Sequence, residues 1–276
     1  MTSPTGNGLV FAGARVPVLG RNVISYLDDP RLRLKLPEDG RTRPGGYYVQ
    51  SIGLHTTRGA PDSDDKRPQT LLPGAGPSTR AGYDVVEDWR TDHRCAGGHI
   101  VVDFDGVIYQ LADLVTETTY HATSINHRSI GIEYKQGRAQ NELYAEQLAA
   151  GCDVVDAITA RLGIQRQIPD RYRGPLARLS SGGADYWGVF GHRDQTDRRG
   201  FGDPGDYVMA ALAARGYERH NLLAGDDKRV WRERQRALGF RASSCDGLPG
   251  PLTRAALERQ GYGHGLWALP PERTAA

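Results

Sequence analysis

The stretch Gly191-His-Arg-Asp-Gln-Thr-Asp-Arg-Arg-Gly-Phe-Gly-Asp203-Pro-Gly decides how the chain is interpreted, because it places a histidine directly after an apolar segment. That segment, residues 186–191, predicts a strand that presents His192. Asp203 stands further along, next to a proline and a glycine, which favour a turn. We therefore expect the turn to bring the Asp203 carboxylate back towards His192.

A second stretch, Ile52-Gly-Leu-His55-Thr-Thr, repeats the pattern of an apolar strand that ends in a histidine. The apolar run covers residues 47–54 and predicts a strand that holds the His55 side chain rigidly. His55, His192 and Asp203 are residue types that catalytic Zn²⁺ sites use, with a fourth position kept for water. By spacing alone such a trio is more often structural, since it forms no compact motif.

Strand and helix signals alternate along the rest of the chain. Further strands are predicted at residues 99–104, 107–111 and 129–134, and helices at residues 83–91, 141–162 and 206–215. Asp105-Gly106 is a hairpin turn between the first two of these strands, and Gly163 stops the longest helix. Residues 59–82 read as a long surface loop. The pattern predicts an α/β fold with a mixed central sheet covered by helices on both faces.

The order of the motifs resembles a known family. The motifs are His55, then Gly98-His99-Ile-Val-Val-Asp-Phe-Asp-Gly106-Val-Ile-Tyr-Gln, Tyr120-His121-Ala122, Asn126-His-Arg-Ser-Ile-Gly-Ile-Glu133, and the Gly191 to Gly205 stretch. In this order they are similar to the zinc-dependent N-acetylmuramoyl-L-alanine amidases, which are related to phage lysozyme-amidases and the peptidoglycan recognition proteins. The resemblance spans residues 47–212 and implies the mixed sheet of a type 2 amidase.

The resemblance implies one Zn²⁺ per chain, held by His55, His192 and Asp203. It also implies that Glu133 is the catalytic general base, which takes a proton from water and passes it to the leaving amine. The null role of Glu133 is a salt bridge at a strand end.

His121 and Asn126 stand where relatives line the substrate groove, so both are candidate substrate-binding residues. For His121 two roles remain open: a hydrogen bond to substrate, or ordering of its own loop. His99 is expected to be a structural histidine of the hairpin.

The sequence departs from the family pattern at two positions. Gly98 stands where many members carry Tyr, and Phe201 stands where many carry a Lys that is thought to stabilise the oxyanion. Arg199, or its neighbour Arg198, is the expected replacement, with a guanidinium in place of an ammonium. We therefore count Arg199 with Glu133 as a catalytic candidate.

Three segments are expected: an N-terminal arm over residues 1–45, a catalytic domain over residues 46–222, and a small all-α domain over residues 226–276. The last contains Asp246-Gly-Leu-Pro-Gly-Pro-Leu-Thr253 after an Arg-rich stretch with Trp231 and Gln235. This pattern resembles the helical peptidoglycan-binding module found beside many wall hydrolases. The alternative is a helical extension that packs on the catalytic domain.

Bulk properties exclude several function classes. The net charge of +2 does not demand nucleic acid as a partner, and no stretch approaches the roughly 20 apolar residues of a membrane span. The N-terminus has no basic head before its short apolar patch, which makes a poor secretory signal. We expect synthesis in the cytoplasm and action on the bacterial cell wall after phage lysis or a delivery system. Muropeptide recycling in the cytoplasm is the alternative.

The chain has three cysteines, Cys95, Cys152 and Cys245, which cannot all pair with one another. Cys152 lies on an apolar helical stripe and is expected to be buried, while a Cys95–Cys152 bridge stays open.

Peptidoglycan or a muropeptide is the expected partner. The leading interpretation is an enzyme that cuts the amide between N-acetylmuramic acid and L-alanine. One rival is a recognition protein that binds muropeptide without cutting it, and the other is a zinc peptidase that cuts a different bond of the stem peptide. The presence of both Asp203 and Glu133 favours an enzyme, since binding alone needs neither.

Overall fold

A computed structural model gives the architecture. It describes residues 7–34, 42–44, 48–57, 70–91, 97–136, 142–169, 186–196 and 203–220, together with positions 232, 235, 236, 238–245, 252, 253 and 256. The strands are β1 (Leu9–Phe11), β2 (Ala14–Val16), β3 (Val23–Ser25), β4 (Ser51–Thr56), β5 (Thr70–Leu72), β6 (Ile100–Val102), β7 (Ile108–Gln110), β8 (Ser129–Tyr134), β9 (Glu142–Tyr144), β10 (Gln167–Pro169), β11 (Gly188–Gly191) and β12 (Glu218–His220). The helices are α1 (Ala81–Thr91), α2 (Ala145–Leu162), α3 (His192–Gln195) and α4 (Asp206–Ala214).

A six-stranded mixed sheet forms the centre of the described chain. Its strand order is β11, β4, β8, β6, β7, β3. Only the β6–β7 pair is antiparallel, and it is the predicted hairpin, with Gly106 in the turn at a φ of 81°. The other neighbours run parallel, so the carboxyl ends of β11, β4 and β8 meet at one edge of the sheet.

Helices cover both faces of the sheet, as the alternation of elements predicts. On one face, aliphatic side chains of β4, β6 and β8 join those of α2 and α4 in the main core: Ile52, Leu54, Ile100, Ile130, Ile132, Val155, Ile158 and Leu212. On the other face, a second core unites α1 with β6 and β7 through Val85, Val86, Val101 and Tyr109. Each fully buried aliphatic side chain contributes about 1.5–3 kcal/mol relative to exposure. The predicted α/β class is confirmed.

Two element boundaries differ from the expectation. The strand predicted at residues 47–54 occupies Ser51–Thr56, so His55 lies inside β4 and pairs with Glu133 of β8. The long helix begins at Ala145 and not at residue 141, because residues 142–144 form β9 and pair with β5. Strand β5 in turn takes residues from the segment predicted as a loop. The helix ends at Gly163, which has a φ of 63°, as expected.

The described N-terminal residues share the main core. Strand β3 pairs with β7 as an edge strand of the central sheet, and Leu9, Phe11 and Val23 are buried with the core of that sheet. The side chain of Gln110 fastens this segment, since it accepts from the backbone N–H of Val10 at 2.7 Å and donates to the Val10 carbonyl at 2.9 Å. The segment expected as an arm therefore contributes a strand and core side chains.

The described positions near the C-terminus are consistent with helical turns. Residues 235, 236, 252 and 253 are helical, and the buried side chain of Gln235 donates from Nε2 to the Thr253 hydroxyl at 3.1 Å. Trp231 and the Asp246-Gly-x-x-Gly turn lie outside the described residues, so the all-α domain remains a prediction. Among the residues described, no helix combines the length and apolar character that a bilayer crossing requires.

Candidate metal centre

Two strand ends and one turn bring His55, His192 and Asp203 together. Strand β11 lies beside β4 with Gly191 opposite Leu54, so His192, the first residue of α3, arrives next to His55. The two Nδ1 atoms are 2.9 Å apart. Asp203 closes the group: Oδ2 lies 3.3 Å from His192 Nδ1, and Oδ1 lies 3.9 Å from His55 Nδ1. The predicted return of Asp203 towards His192 is observed.

The geometry of this group fits a zinc ion. Ligand atoms at tetrahedral angles on bonds of 2.0–2.1 Å stand about 3.3 Å apart, and the separations of 2.9, 3.3 and 3.9 Å lie around that value. One ligand atom from each residue falls within 4.8 Å of the others, and all three side chains are buried. Two imidazoles and one carboxylate leave a fourth position, which is the donor set of a catalytic site.

The backbone fixes the orientation of the aspartate. The N–H of Thr56, at the end of β4, donates to Asp203 Oδ1 at 3.0 Å, and the N–H of Arg193 donates to the Asp203 carbonyl at 2.9 Å. At the start of α3, Asp194 Oδ2 accepts from the N–H of Gly191 at 2.8 Å. The turn before Asp206 and the end of β11 are thus joined through the ligand residues.

Glu133 stands beside the ligand group on the same face of the sheet. In the parallel β4–β8 register its Cα is opposite that of His55, and its side chain is 8% exposed. Gly98 faces it: a Cβ at Gly98 would lie 3.1 Å from Glu133 Cγ. The departure from the family's Tyr therefore falls next to the candidate base, where a large side chain would crowd the carboxylate.

His121 and Asn126 have their polar partners inside the protein. His121 Nδ1 lies 2.9 Å from His55 Nε2, and His121 Nε2 lies 3.0 Å from Ser129 Oγ. Burial holds the pKa of His121 well below its usual value, so the ring is neutral. Asn126 Oδ1 accepts from the backbone N–H groups of His121 and Ala122 at 3.0 and 2.6 Å. These contacts differ from the predicted groove-lining role, and they order the segment that carries His121.

His99 has the structural role that the sequence suggests. Its Nδ1 accepts from the N–H of Gly131 at 3.1 Å, and its Nε2 lies 3.2 Å from the Glu117 carbonyl. Burial, helped by the charge of Arg43, lowers the pKa of His99 to about 3. Cys152 is buried as predicted, and burial raises the pKa of its thiol to about 12. Arg198, Arg199, Phe201 and Cys95 lie outside the described residues.

The residues that sequence reasoning missed are small. Thr56 orients Asp203, Ser129 contacts His121, and glycines 53 and 131 lie two positions before His55 and Glu133 on neighbouring strands. Residues two apart share one face of a strand. The repeated Gly-x-His and Gly-x-Glu pattern was therefore a readable signal for something packed on that face.

Comparisons with known proteins agree with this geometry. Among solved structures, Drosophila peptidoglycan recognition protein LB in complex with tracheal cytotoxin is 16% identical, with coverage of 72% of this chain and 96% of that chain and a TM-score of 0.43. Drosophila peptidoglycan recognition protein SD is 11% identical, with coverage of 70% and 93% and a TM-score of 0.41. The endolysin N-acetylmuramoyl-L-alanine amidase LysCS from Clostridium intestinale is 15% identical, with coverage of 61% and 99% and a TM-score of 0.34.

None of the curated proteins compared matches the chain. Residues 46–206, which carry every motif from β4 to the start of α4, match the family described as N-acetylmuramoyl-L-alanine amidase. Because the match covers more than half of the sequence, the chain belongs to the N-acetylmuramoyl-L-alanine amidase family.

Proposed function

We propose that the protein is a zinc-dependent hydrolase that cleaves the amide between N-acetylmuramic acid and L-alanine in bacterial peptidoglycan. The observation that carries the proposal is the buried group of His55, His192 and Asp203, with Glu133 opposite His55 on the neighbouring strand. A chain of this family that retains both a zinc donor set and an adjacent carboxylate has the parts that amide hydrolysis requires.

The chain's own residues divide the work as follows. His55, His192 and Asp203 hold the metal, and Zn²⁺ bound there polarises the scissile carbonyl and lowers the pKa of water. Glu133 takes a proton as the water oxygen bonds to the carbonyl carbon, and it returns a proton to the nitrogen as the C–N bond breaks. The products are a free lactyl carboxylate on the glycan and a free amine on L-alanine. Arg199 or Arg198 stabilises the oxyanion in the place of the family Lys.

The site of action is the bacterial cell wall, and residues 226–276 bind the wall polymer. The buried Gln235–Thr253 hydrogen bond supports an ordered C-terminal unit, because a buried amide and hydroxyl that satisfy each other are typical of packed helices. The substrate is peptidoglycan or a muropeptide released from it.

The test is Glu133→Gln in the full chain loaded with zinc. The amide cannot act as a base, so release of new amino groups from purified peptidoglycan should fall by roughly 10²–10⁴-fold, while zinc content and substrate binding stay unchanged. Glu87→Gln is the matched control, since this glutamate is 64% exposed and pairs with Arg90 on α1. Near-normal turnover of the Glu133 variant would assign the proton transfer to another group. A wild-type protein that binds muropeptide and releases no amine would be a recognition protein.

A further inference from the structure

Two glycines face each other on the strands that carry His55 and Glu133. In the β4–β8 register Gly53 is opposite Gly131, and His55 is opposite Glu133 two residues later. All four residues therefore point to the same face of the sheet. The two glycines leave a shallow slot beside the metal centre, where side chains would otherwise stand.

The imidazole of His121 fills this slot. A Cβ at Gly131 would lie 2.5 Å from His121 Cγ, closer than real Cβ contacts allow, and a Cβ at Gly53 would lie 3.1 Å from His121 Cε1. The ring also meets the His55 ring edge-on, with centroids 5.0 Å apart and an interplanar angle of 87°. Glycine at these positions is what lets the His121 ring reach His55 from below.

Hydrogen bonds around His121 have a defined direction, which starts from a backbone carbonyl. The Ile125 carbonyl can only accept, so the Ser129 hydroxyl, 2.9 Å away, donates to it. The Ser129 oxygen then accepts from His121 Nε2–H at 3.0 Å. A neutral His121 with its proton on Nε2 presents Nδ1 as an acceptor.

The same direction continues into the ligand. His55 Nε2, 2.9 Å from His121 Nδ1, must carry the proton and donate it to this hydrogen bond. His55 Nδ1 is then the nitrogen with the free lone pair, and it is the atom that faces His192 and Asp203. The chain from Ile125 to His55 thus selects the tautomer that a metal needs.

We infer that His121 is a positioning residue: seated over Gly53 and Gly131, it fixes the tautomer and the ring orientation of His55 for metal binding. The inference deepens the proposed function and rests on it. Metal-bound histidines usually donate their second N–H to a carboxylate, a carbonyl or water, and loss of such a partner costs roughly 10–100-fold in metal affinity or activity. Here the acceptor is a neutral imidazole, which orients the ligand without adding a negative charge.

The first readout is the tautomer of His55 in the metal-free full chain, measured from the ¹⁵N shifts of its ring. Wild-type protein should show one tautomer, protonated on Nε2. Ser129→Ala removes one oxygen from a buried site, and His121→Phe keeps a planar ring without the acceptor; both should give a mixture of His55 tautomers. A pure Nε2–H tautomer in both variants would overturn the inference, and this readout does not depend on any metal.

The second readout is metal binding by the same variants. His121→Phe should raise the dissociation constant for Zn²⁺ roughly 10–100-fold and alter the visible spectrum of the Co²⁺-loaded protein. His121→Gln should recover most of the affinity, because its side chain offers both an acceptor and a donor. His127→Gln is the control in the neighbouring segment and should change nothing. Gly131→Ala, which leaves His121 in the chain and fills its slot, should weaken the metal as His121→Phe does.

The outcomes separate the two proposals. A wild-type protein that binds no zinc refutes the proposed function, while the tautomer measurement still reports on His121. Zinc affinity and spectrum that stay unchanged in His121→Phe and Gly131→Ala would refute the positioning role. Unchanged zinc affinity with a raised KM for muropeptide would instead make His121 a substrate contact. Should His121→Phe not fold, Ser129→Ala and Gly131→Ala decide the question.

Discussion

At the scale of single residues, neighbours in the protein set the orientation of the candidate ligands. The Asp203 carboxylate receives the N–H of Thr56 on Oδ1, which leaves Oδ2 towards His192. His55 is held from the other side by His121. A group oriented in this way loses little conformational entropy when an ion binds, so the metal affinity depends on each ligand being present.

His192→Ala should remove zinc from the protein. The substitution leaves one imidazole and one carboxylate, which is fewer than the three protein ligands of a catalytic zinc site. Zinc content measured after dialysis should fall from one ion per chain to near zero, and hydrolysis should disappear with it. His127→Ala is the control and should keep both. Full zinc content in the His192 variant would contradict the ligand assignment.

The buried ring of His99 should stay neutral far below the usual pH of histidine titration. The unfolded chain protonates this ring with a pKa near 6.5, whereas the folded protein holds the pKa at about 3. Between these values the unfolded state binds more protons, so the contribution of His99 to the free energy of unfolding is lost as pH falls below 6.5, by about 1.4 kcal/mol per pH unit.

The check is an NMR titration of the His99 ring in the metal-free protein from about pH 7.5 to about pH 5. No inflection is expected, and urea unfolding over the same range should show stability falling towards acid. An inflection near 6.5 in the His99 signals would show that the ring is accessible and that its hydrogen bonds to Gly131 and Glu117 do not form.

At the scale of elements, the sequence predicts those whose hydrophobic pattern is long or regular. Strand β8, the β6–β7 hairpin and most of α2 follow from alternation, a turn dipeptide and helical periodicity. The three-residue ladder between β5 and β9 does not, because each strand is too short to show a period and is defined only by its partner. That pairing also explains why the first residues of the predicted helix are extended.

The candidate site divides in the same way. His55, His192, Asp203 and Glu133 could be identified because their residue types carry the chemistry. The contacts of His121 with His55 and Ser129 join residues from separate elements, and no local pattern reveals them. Only the glycines two positions before His55 and Glu133 hint that a ring lies there.

The segment between α3 and Asp203 should carry the oxyanion charge. Phe201 replaces the family Lys, and Arg198 and Arg199 are the nearest cations in the sequence. Replacing the responsible Arg by Ala should lower kcat by roughly 10²-fold and change KM little, as expected for an interaction made in the transition state. Arg161→Ala, at the exposed end of α2, is the control. Unchanged kcat in both single variants and in the double variant would leave the metal as the only oxyanion stabiliser.

At the scale of the whole molecule, the described N-terminal and central residues form one core, whereas the C-terminal residues show contacts of their own. Val23 and Phe11 lie in the main core with α2, while Gln235 pairs with Thr253. A wall-binding segment tethered to a catalytic domain raises the local concentration of enzyme on an insoluble polymer. Removal of the two segments should therefore have different consequences.

Truncation before Asp226 should leave the zinc site intact, because His55, Glu133, His192 and Asp203 all precede it. Binding to intact cell walls and activity on them should fall, while cleavage of a small soluble muropeptide should continue at a similar rate. Zinc content and far-UV circular dichroism check that the truncated protein is folded. Equal loss of both activities would show that residues 226–276 are part of the catalytic domain's structure.

The central claim is that the protein breaks one amide bond, between N-acetylmuramic acid and L-alanine. Mass spectrometry of the products that the zinc-loaded full chain releases from purified peptidoglycan tests it most directly. The account predicts glycan strands with free lactyl carboxyls and intact stem peptides that begin with the free amine of L-alanine, and neither product from Glu133→Gln. Fragments cut within the stem peptide, or bound protein without any product, would contradict it.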